Sequence, residues 1–166
     1  MKIESYRDEE WLENMLADVW ASYFGDVEQE NEVVIRFGRA AKQRLGSISL
    51  DRNNPKISVI TINPLYKDLD VPEFVIRATI VHEMSHYAHG FNSPHQQKHR
   101  FPHSGGVIRQ EFAERGLEDM YLQQKRWLKE HWVEIVGRYF DLSPKRYRSA
   151  RVKSPWWMND FFDKRG

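Results

Sequence analysis

The sequence contains no cysteine in any of its 166 residues. Without cysteine there is no disulfide, no thiolate zinc site and no cysteine nucleophile, so a bound metal would need histidine, aspartate or glutamate ligands. The chain also lacks an apolar run of membrane-spanning length, and its first residues are charged rather than an apolar stretch ending in a cleavage site. We therefore expect a soluble, cytoplasmic protein without a membrane partner.

Internal repeats and low-complexity linkers are also missing, and the length of the chain fits a single domain. Hydrophobic residues make up 40% of the chain and aromatic residues 13%, which is enough material for one core. We predict one domain over residues 1–140. A basic and aromatic extension over residues 141–166 is expected to pack on the same domain.

Basic residues are scarce near the beginning of the sequence and acidic residues are scarce near its end, although the net charge is only +1. Residues 1–32 carry ten acidic side chains against two basic ones, whereas residues 145–153 carry five basic side chains and no acid. The basic run consists of Lys145, Arg146, Arg148, Arg151 and Lys153. Such a run is a candidate site for nucleic-acid phosphates, and it is equally typical of a segment that pairs with an acidic surface.

The pattern of apolar residues predicts an α+β fold in which a small, antiparallel-rich sheet packs against helices. A helix capped by Ser5 is expected over 6–24, and helices after the sheet are expected over 71–89, 107–115 and 119–140. Asp70 is the expected cap of the helix over 71–89, and Gly90 is expected to end this helix in the left-handed conformation. Three short strands are predicted over 32–37, 44–50 and 56–63. The last two strands flank the turn residues 51–55 and should form a hairpin, with the third strand buried on both faces.

The predicted helix over 71–89 carries the run His82-Glu83-Met84-Ser85-His86, which is the H-E-x-x-H arrangement of zinc hydrolases. Residues four apart share one helix face, so His82 and His86 can reach a single metal while Glu83 flanks its open coordination position. The surrounding residues are apolar, and a buried helix rarely carries such side chains unless they are paired or bound. We expect Glu83 to act as the general base and Zn²⁺ as the cofactor.

A catalytic zinc normally has a third protein ligand, which the helix motif does not supply. Four candidates follow it in the sequence: His95, His99, His103 and Glu111. A glutamate ligand would indicate a gluzincin-like small peptidase. The residues alone leave this choice open.

Several segments in order resemble the SprT-like (Spartan-type) metalloprotease domain. They are Arg44-Leu45-Gly46-Ser47-Ile48-Ser49-Leu50, Ile60-Thr61-Ile62-Asn63-Pro64-Leu65, Val71-Pro72, His82-Glu83-Met84-Ser85-His86-Tyr87 and Pro102-His103-Ser104-Gly105-Gly106. The resemblance covers residues 40 to 110. It implies a zincin-like fold, and it implies that His103, the histidine after the variable loop, is the third ligand.

The resemblance also implies a substrate class and a partner. Spartan-type proteases act on proteins crosslinked to DNA, so peptide hydrolysis on DNA-associated proteins is the expected function, with a protein or peptide substrate and DNA as a further partner. One rival interpretation keeps the metal site as a structural element of a non-catalytic module that binds nucleic acid or protein. Glu83 separates the two, because a structural site has no use for that carboxylate. The oligomeric state is not predicted.

Overall fold

The computed structural model describes residues 5–142, and within them three strands and four α-helices follow one another. The N-terminal helix α1 precedes the strands β1, β2 and β3, and α2, α3 and α4 follow the sheet. Their bounds are α1 Glu9–Tyr23, β1 Val33–Phe37, β2 Gly46–Leu50, β3 Ser58–Ile62, α2 Glu73–Ala88, α3 Val107–Glu114 and α4 Glu118–Tyr139. The basic run at 145–153, and the predicted extension from residue 143 onward, lie outside the described residues.

The sheet has the strand order β1-β3-β2, with β3 in the middle. β2 and β3 pair antiparallel, which confirms the predicted hairpin, but β1 pairs parallel to β3. The sheet is therefore mixed rather than antiparallel-rich. After β1 the chain passes to the far edge before the hairpin brings β3 back between the two outer strands. This central position explains why four of the five β3 residues are buried.

Helix α2 lies at the centre of the molecule. It packs against the other three helices and against β2, and twelve of its 16 residues are buried. A helix with neighbours on every side buries residues around its whole circumference. Among the described residues, none of the helices combines the length and the apolar character required to cross a membrane.

The helix ends differ in part from the prediction. Asp8, rather than Ser5, caps α1, since its side chain accepts a hydrogen bond from the Trp11 N–H at 2.9 Å. Asp70 does not cap α2, because the helix begins after Pro72 and the Asp70 carboxylate instead accepts a hydrogen bond from Arg138 at 2.8 Å. Gly90 follows α2 with φ of +81°, the left-handed conformation predicted for it.

Candidate metal centre

Helix α2 brings His82 and His86 together one turn apart. Their Nε2 atoms are 3.1 Å apart, and their ring centroids are separated by 4.8 Å. His86 is buried and His82 is half-buried, so both rings lie at the boundary between the core and the surface. The H-E-x-x-H residues thus occupy one helix, as their spacing predicts.

His103 reaches the same point from outside the helix. It precedes the 3-10 turn Ser104–Gly106, in which Gly105 and Gly106 have φ of +68° and +69°. Two consecutive left-handed residues are inexpensive only for glycine, and they turn the chain towards α3 directly after the histidine. The Nε2 atoms of His103 and His86 are 2.7 Å apart, and one ring nitrogen from each of the three histidines lies within 4.8 Å of the others.

The other candidate ligands are placed elsewhere. His95 Nε2 lies 2.7 Å from the Glu28 carbonyl oxygen, and the ring of His99 packs edge-on against the ring of His89. Glu111 is engaged on both oxygens, by His89 Nε2 at 2.8 Å and by Arg115 Nε at 2.9 Å. Of the four candidates, only His103 joins the histidine pair of α2.

Burial lowers the pKa of all three clustered histidines. The pKa of His82 falls well below its usual range, through burial first and then the neighbouring His86 and His103. The pKa of His86 falls to about 3, with burial again the main cause, and burial lowers the pKa of His103 to about 4. At neutral pH the three imidazoles are therefore uncharged, which is the form that donates a nitrogen lone pair to a metal.

Three imidazoles are a donor set of the kind that can hold a zinc ion. Ligand nitrogens about 2.0–2.1 Å from a tetrahedral zinc lie roughly 3.3 Å apart, and the Nε2 separations here are 3.1 Å for His82 and His86 and 2.7 Å for His86 and His103. The buried Nδ1 of His86 has no hydrogen-bond partner among the described residues, so the polar interactions of this ring are made through Nε2, the atom that faces the cluster. Three protein ligands would leave one position open.

Glu83 is buried next to the histidines, and no described residue donates a hydrogen bond to its carboxylate. Burial raises the pKa of Glu83 to about 8, while the positive charge of Arg44 acts in the opposite direction. Space for the carboxylate depends on Gly46, since a Cβ at that position would lie 3.2 Å from Glu83 Oε1 and 2.9 Å from Thr79 Cγ2. A glycine inside a strand often marks such a close approach, which is the signal that points to Gly46 in the sequence.

An open cleft of about 1360 Å³ runs past the cluster. Glu83, His86 and His103 form part of its wall, and β2 with the loops on either side of it forms much of the remainder. The site is therefore accessible to a ligand much larger than water. Arg44 and Asn92 also line this cleft, and neither was predicted as a site residue, although Arg44 begins one of the segments that resemble the SprT-like domain.

Within residues 5–142, β2 pairs with β3 alone, and its residues line this cleft, so its other edge is open to the cleft. The Leu45 carbonyl accepts from the Asn63 N–H, and the Asp51 N–H donates to the Ile57 carbonyl, both at 2.9 Å. Since main-chain groups alternate along an antiparallel strand, those of the even-numbered residues 46, 48 and 50 point away from β3. Asn92 confirms this direction, as its Nδ2 donates to the Ile48 carbonyl at 3.0 Å.

Comparison with family models, curated proteins and solved structures found no match. The SprT-like resemblance therefore stays a prediction. The α+β domain brings three histidines together beside a buried glutamate, and Glu83, His86 and His103 line an open cleft.

Proposed function

We propose that the protein is a zinc-dependent peptidase with a zincin-like, SprT-like domain. His82, His86 and His103 hold the metal, and Glu83 is the general base. The observation that carries the proposal is the convergence of three uncharged imidazoles beside a buried acidic side chain that has no hydrogen-bond donor among residues 5–142, with His86, His103 and Glu83 at the wall of an accessible cleft. A bound zinc supplies Lewis acidity, which lowers the pKa of a water molecule and polarises a carbonyl group.

Glu83 performs the proton transfers in this proposal. A zinc ion bound beside Glu83 would favour the ionised form of this side chain and so lower its pKa from about 8. The carboxylate would then take a proton from the attacking water and pass it to the leaving amine. A buried acidic side chain without a hydrogen-bond donor among residues 5–142 is costly to the fold, so its presence favours a catalytic role over a purely structural metal site. The enzyme is therefore better supported than the non-catalytic binding module.

The edge of β2 favours a peptide as the substrate. A strand edge offers main-chain donors and acceptors at the repeat of an extended peptide, so a substrate segment can pair with it as an added strand. Asn92 occupies the Ile48 carbonyl, which leaves the Ile48 N–H and the main-chain groups of Gly46 and Leu50 for such a segment. A Cβ at Gly46 would lie 3.2 Å from Glu83 Oε1, so a peptide paired at Gly46 would pass close to the base. Unstructured protein segments fit this arrangement, and the SprT-like resemblance extends the proposal to DNA-associated proteins.

The gluzincin-like alternative is less well supported. It requires Glu111 to reach the metal, but both oxygens of that carboxylate are already engaged by His89 and Arg115. The basic run at 145–153 remains a proposed DNA contact on charge alone.

The testing experiment compares zinc-loaded wild type with Glu83→Gln in the cleavage of an unstructured protein. We expect the variant to keep its zinc, because the ligands are intact, and to lose roughly 10²–10⁴-fold in kcat because the base is gone. Glu73→Gln is the matched control, since Glu73 is an exposed carboxylate in the first turn of the same helix. Metal content is measured in parallel on every sample.

Each reaction is run with and without single-stranded DNA. A higher rate with DNA supports the Spartan-type substrate, and an unchanged rate favours a general peptidase. If wild type binds zinc but cuts nothing under either condition, peptide hydrolysis is rejected and the binding module takes its place.

A further inference from the structure

Basic side chains line the cleft beyond the metal centre, and they come from separate parts of the chain. Arg36 lies on β1, Lys42 and Arg44 on the loop before β2, and Arg52 in the turn after it. In the same lining the acids are Glu83 and Asp51. Asp51 is committed to its own turn, because its Oδ1 accepts hydrogen bonds from the N–H groups of Asn53 and Asn54 at 2.9 Å.

The cleft arginines form no ion pair within the described part of the chain. Arg36, Arg44 and Arg52 have no carboxylate partner in residues 5–142, and all three are exposed. The same is true of Arg39, Arg100 and Arg126 outside the cleft lining, whereas four other arginines are matched with carboxylates: Arg77, Arg109, Arg115 and Arg138. The positive charge of the cleft is thus left available to a ligand.

The loop that carries Lys42 and Arg44 is held in place by buried side chains. Asn63 Nδ2 donates to the Ala41 carbonyl at 2.6 Å and to the Arg44 carbonyl at 2.9 Å. Trp132 Nε1, from α4, donates to the Lys42 carbonyl at 2.8 Å. The main chain below these charges is therefore fixed before a ligand arrives, which reduces the entropy lost on binding.

We infer that the cleft selects peptide segments with acidic side chains near the bond to be cut, and that Arg44 with Arg36 and Arg52 recognises their carboxylates. This inference rests on the proposed function and names its substrate class. Guanidinium groups bind carboxylates through paired hydrogen bonds, so unpaired arginines at a peptide-sized cleft complement acidic residues. Arg44 lies two residues before Gly46, where an added Cβ would be 3.2 Å from Glu83 Oε1, and its positive charge acts on Glu83, so Arg44 is close to the proposed chemistry.

A peptide fits this cleft better than a nucleic acid does. Apart from the Ile48 carbonyl, which Asn92 occupies, the edge of β2 presents both main-chain donors and acceptors, which match a peptide main chain, whereas nucleic-acid phosphates offer acceptors alone. Single-stranded nucleic acids are usually held by aromatic side chains on which bases stack. Phe91, the aromatic side chain in the lining, packs edge-on against His86 with 6.2 Å between ring centroids.

The test uses two unstructured peptides of one sequence, with glutamate in one and glutamine in the other on both sides of the cleaved bond. The zinc-loaded full chain is assayed as wild type, Arg44→Gln and Arg52→Gln. Arg39→Gln is the matched control, because Arg39 is exposed near Arg36 but does not line the cleft. We expect the kcat/KM of wild type to be about fivefold or more higher for the glutamate peptide than for the glutamine peptide at low salt. This ratio should be smaller in Arg44→Gln and Arg52→Gln and unchanged in Arg39→Gln.

Binding of both peptides is measured in parallel by fluorescence anisotropy. This measurement distinguishes a failure of the proposed peptidase activity from a failure of the proposed recognition of acidic peptides. Preferential binding of the glutamate peptide that depends on Arg44, without any cleavage, supports the recognition and rejects the peptidase. Cleavage without preference, or equal binding of both peptides, overturns the inference. It is also overturned if single-stranded DNA displaces the acidic peptide and Arg44→Gln abolishes DNA binding, since the cleft would then take phosphates.

Discussion

Asn63 uses both ends of its side-chain amide, each towards a different segment of the chain. Its Oδ1 accepts a hydrogen bond from the Leu65 N–H at 3.0 Å, while its Nδ2 donates to the Ala41 and Arg44 carbonyls. The residue is almost completely buried, so water cannot replace these bonds. Asn63 therefore joins the end of β3 to the loop that forms one wall of the cleft.

Asn63→Ala should lower the free energy of unfolding by about 1–3 kcal/mol, because it leaves two carbonyls and one N–H without their partner. Chemical denaturation measures the change. The control is Asn53→Ala, which replaces an exposed asparagine in the β2–β3 turn and should change stability by less than about 0.5 kcal/mol. Equal losses in the two variants would show that the Asn63 amide does not hold the loop.

Gly46→Ala tests the contact between the edge strand and the proposed base. The added Cβ would meet Thr79 Cγ2 and Glu83 Oε1, so the carboxylate must shift. We expect peptide cleavage to fall by about tenfold to a hundredfold with zinc content unchanged, since small displacements of a catalytic group have effects of this size. Gly137→Ala in α4 serves as the control, because its added Cβ meets nothing within 4 Å. Full activity in Gly46→Ala would contradict the proposed position of the base.

At the scale of elements, a chain of polar contacts ties α3 to its neighbours. His89 just after α2 contacts Glu111 on α3, and Glu111 contacts Arg115 at the end of that helix. Arg115 also donates to the Tyr23 carbonyl and to Asp26 at 2.6 Å, which connects α3 to the end of α1. Because α3 directly follows the turn after His103, these contacts also fix the third proposed ligand.

This network predicts acid sensitivity. The hydrogen bond from His89, followed by that from Arg115, lowers the pKa of Glu111 below its ordinary value of 4.5. A carboxylate with a lowered pKa in the folded state stabilises the protein above the unfolded-state pKa and loses that contribution as the pH falls through the folded-state pKa. Glu111→Gln should therefore cost about 1–3 kcal/mol at pH 7, and its difference from wild type should shrink below pH 4.5.

Thermal unfolding in the presence of a chelator measures this difference without contributions from metal binding. Glu114→Gln, an exposed carboxylate on the same helix, is the control and should be close to wild type at each pH. A wild-type advantage over Glu111→Gln that stays constant from pH 7 to pH 3 would show that the ionised carboxylate is not what holds α3.

At the scale of the whole molecule, the proposed metal connects the core to the surface. His82 and His86 belong to α2, whereas His103 lies on a segment whose 3-10 turn buries no side chain. A ligand that binds only the folded state stabilises it by mass action, which amounts to about 2.7 kcal/mol at a concentration of 100 Kd.

Zinc at 100 Kd should therefore raise the Tm of wild type by roughly 5–11 °C, since about 1 kcal/mol shifts the Tm of a chain of this size by about 2–4 °C. His103→Ala should remove most of this increase, because two ligands bind zinc much more weakly than three. His131→Ala is the control, since His131 is exposed on α4 and lies outside the histidine cluster. An equal zinc-dependent increase in all three proteins would place the metal elsewhere.

The features predictable from sequence are those with a local cause. The helical spacing of His82 and His86 and the turn residues between β2 and β3 can each be recognised within a short stretch of the sequence. The structure contains both the helix and the hairpin. The parallel pairing of β1 with β3 has no local signal, because it depends on which strand the hairpin places next to it. The choice of His103 among four candidate ligands also has no local signal. A loop without periodicity does not show in which direction its histidine side chains point. Arg44 acquires its position only when Asn63 and Trp132 fix its loop.

His82 and His86 lie on a buried helix, whereas His103 lies beside a surface turn, and this difference should affect the rate at which the metal exchanges. Main-chain hydrogen bonds in the middle of α2 should break only when the whole domain unfolds, whereas those of the Ser104–Gly106 turn should open locally at much lower cost. Metal release would then begin with departure of His103, while the two helix ligands keep their geometry for rebinding. Hydrogen–deuterium exchange should show zinc slowing the exchange of amides near residue 103 far more than that of amides in α2.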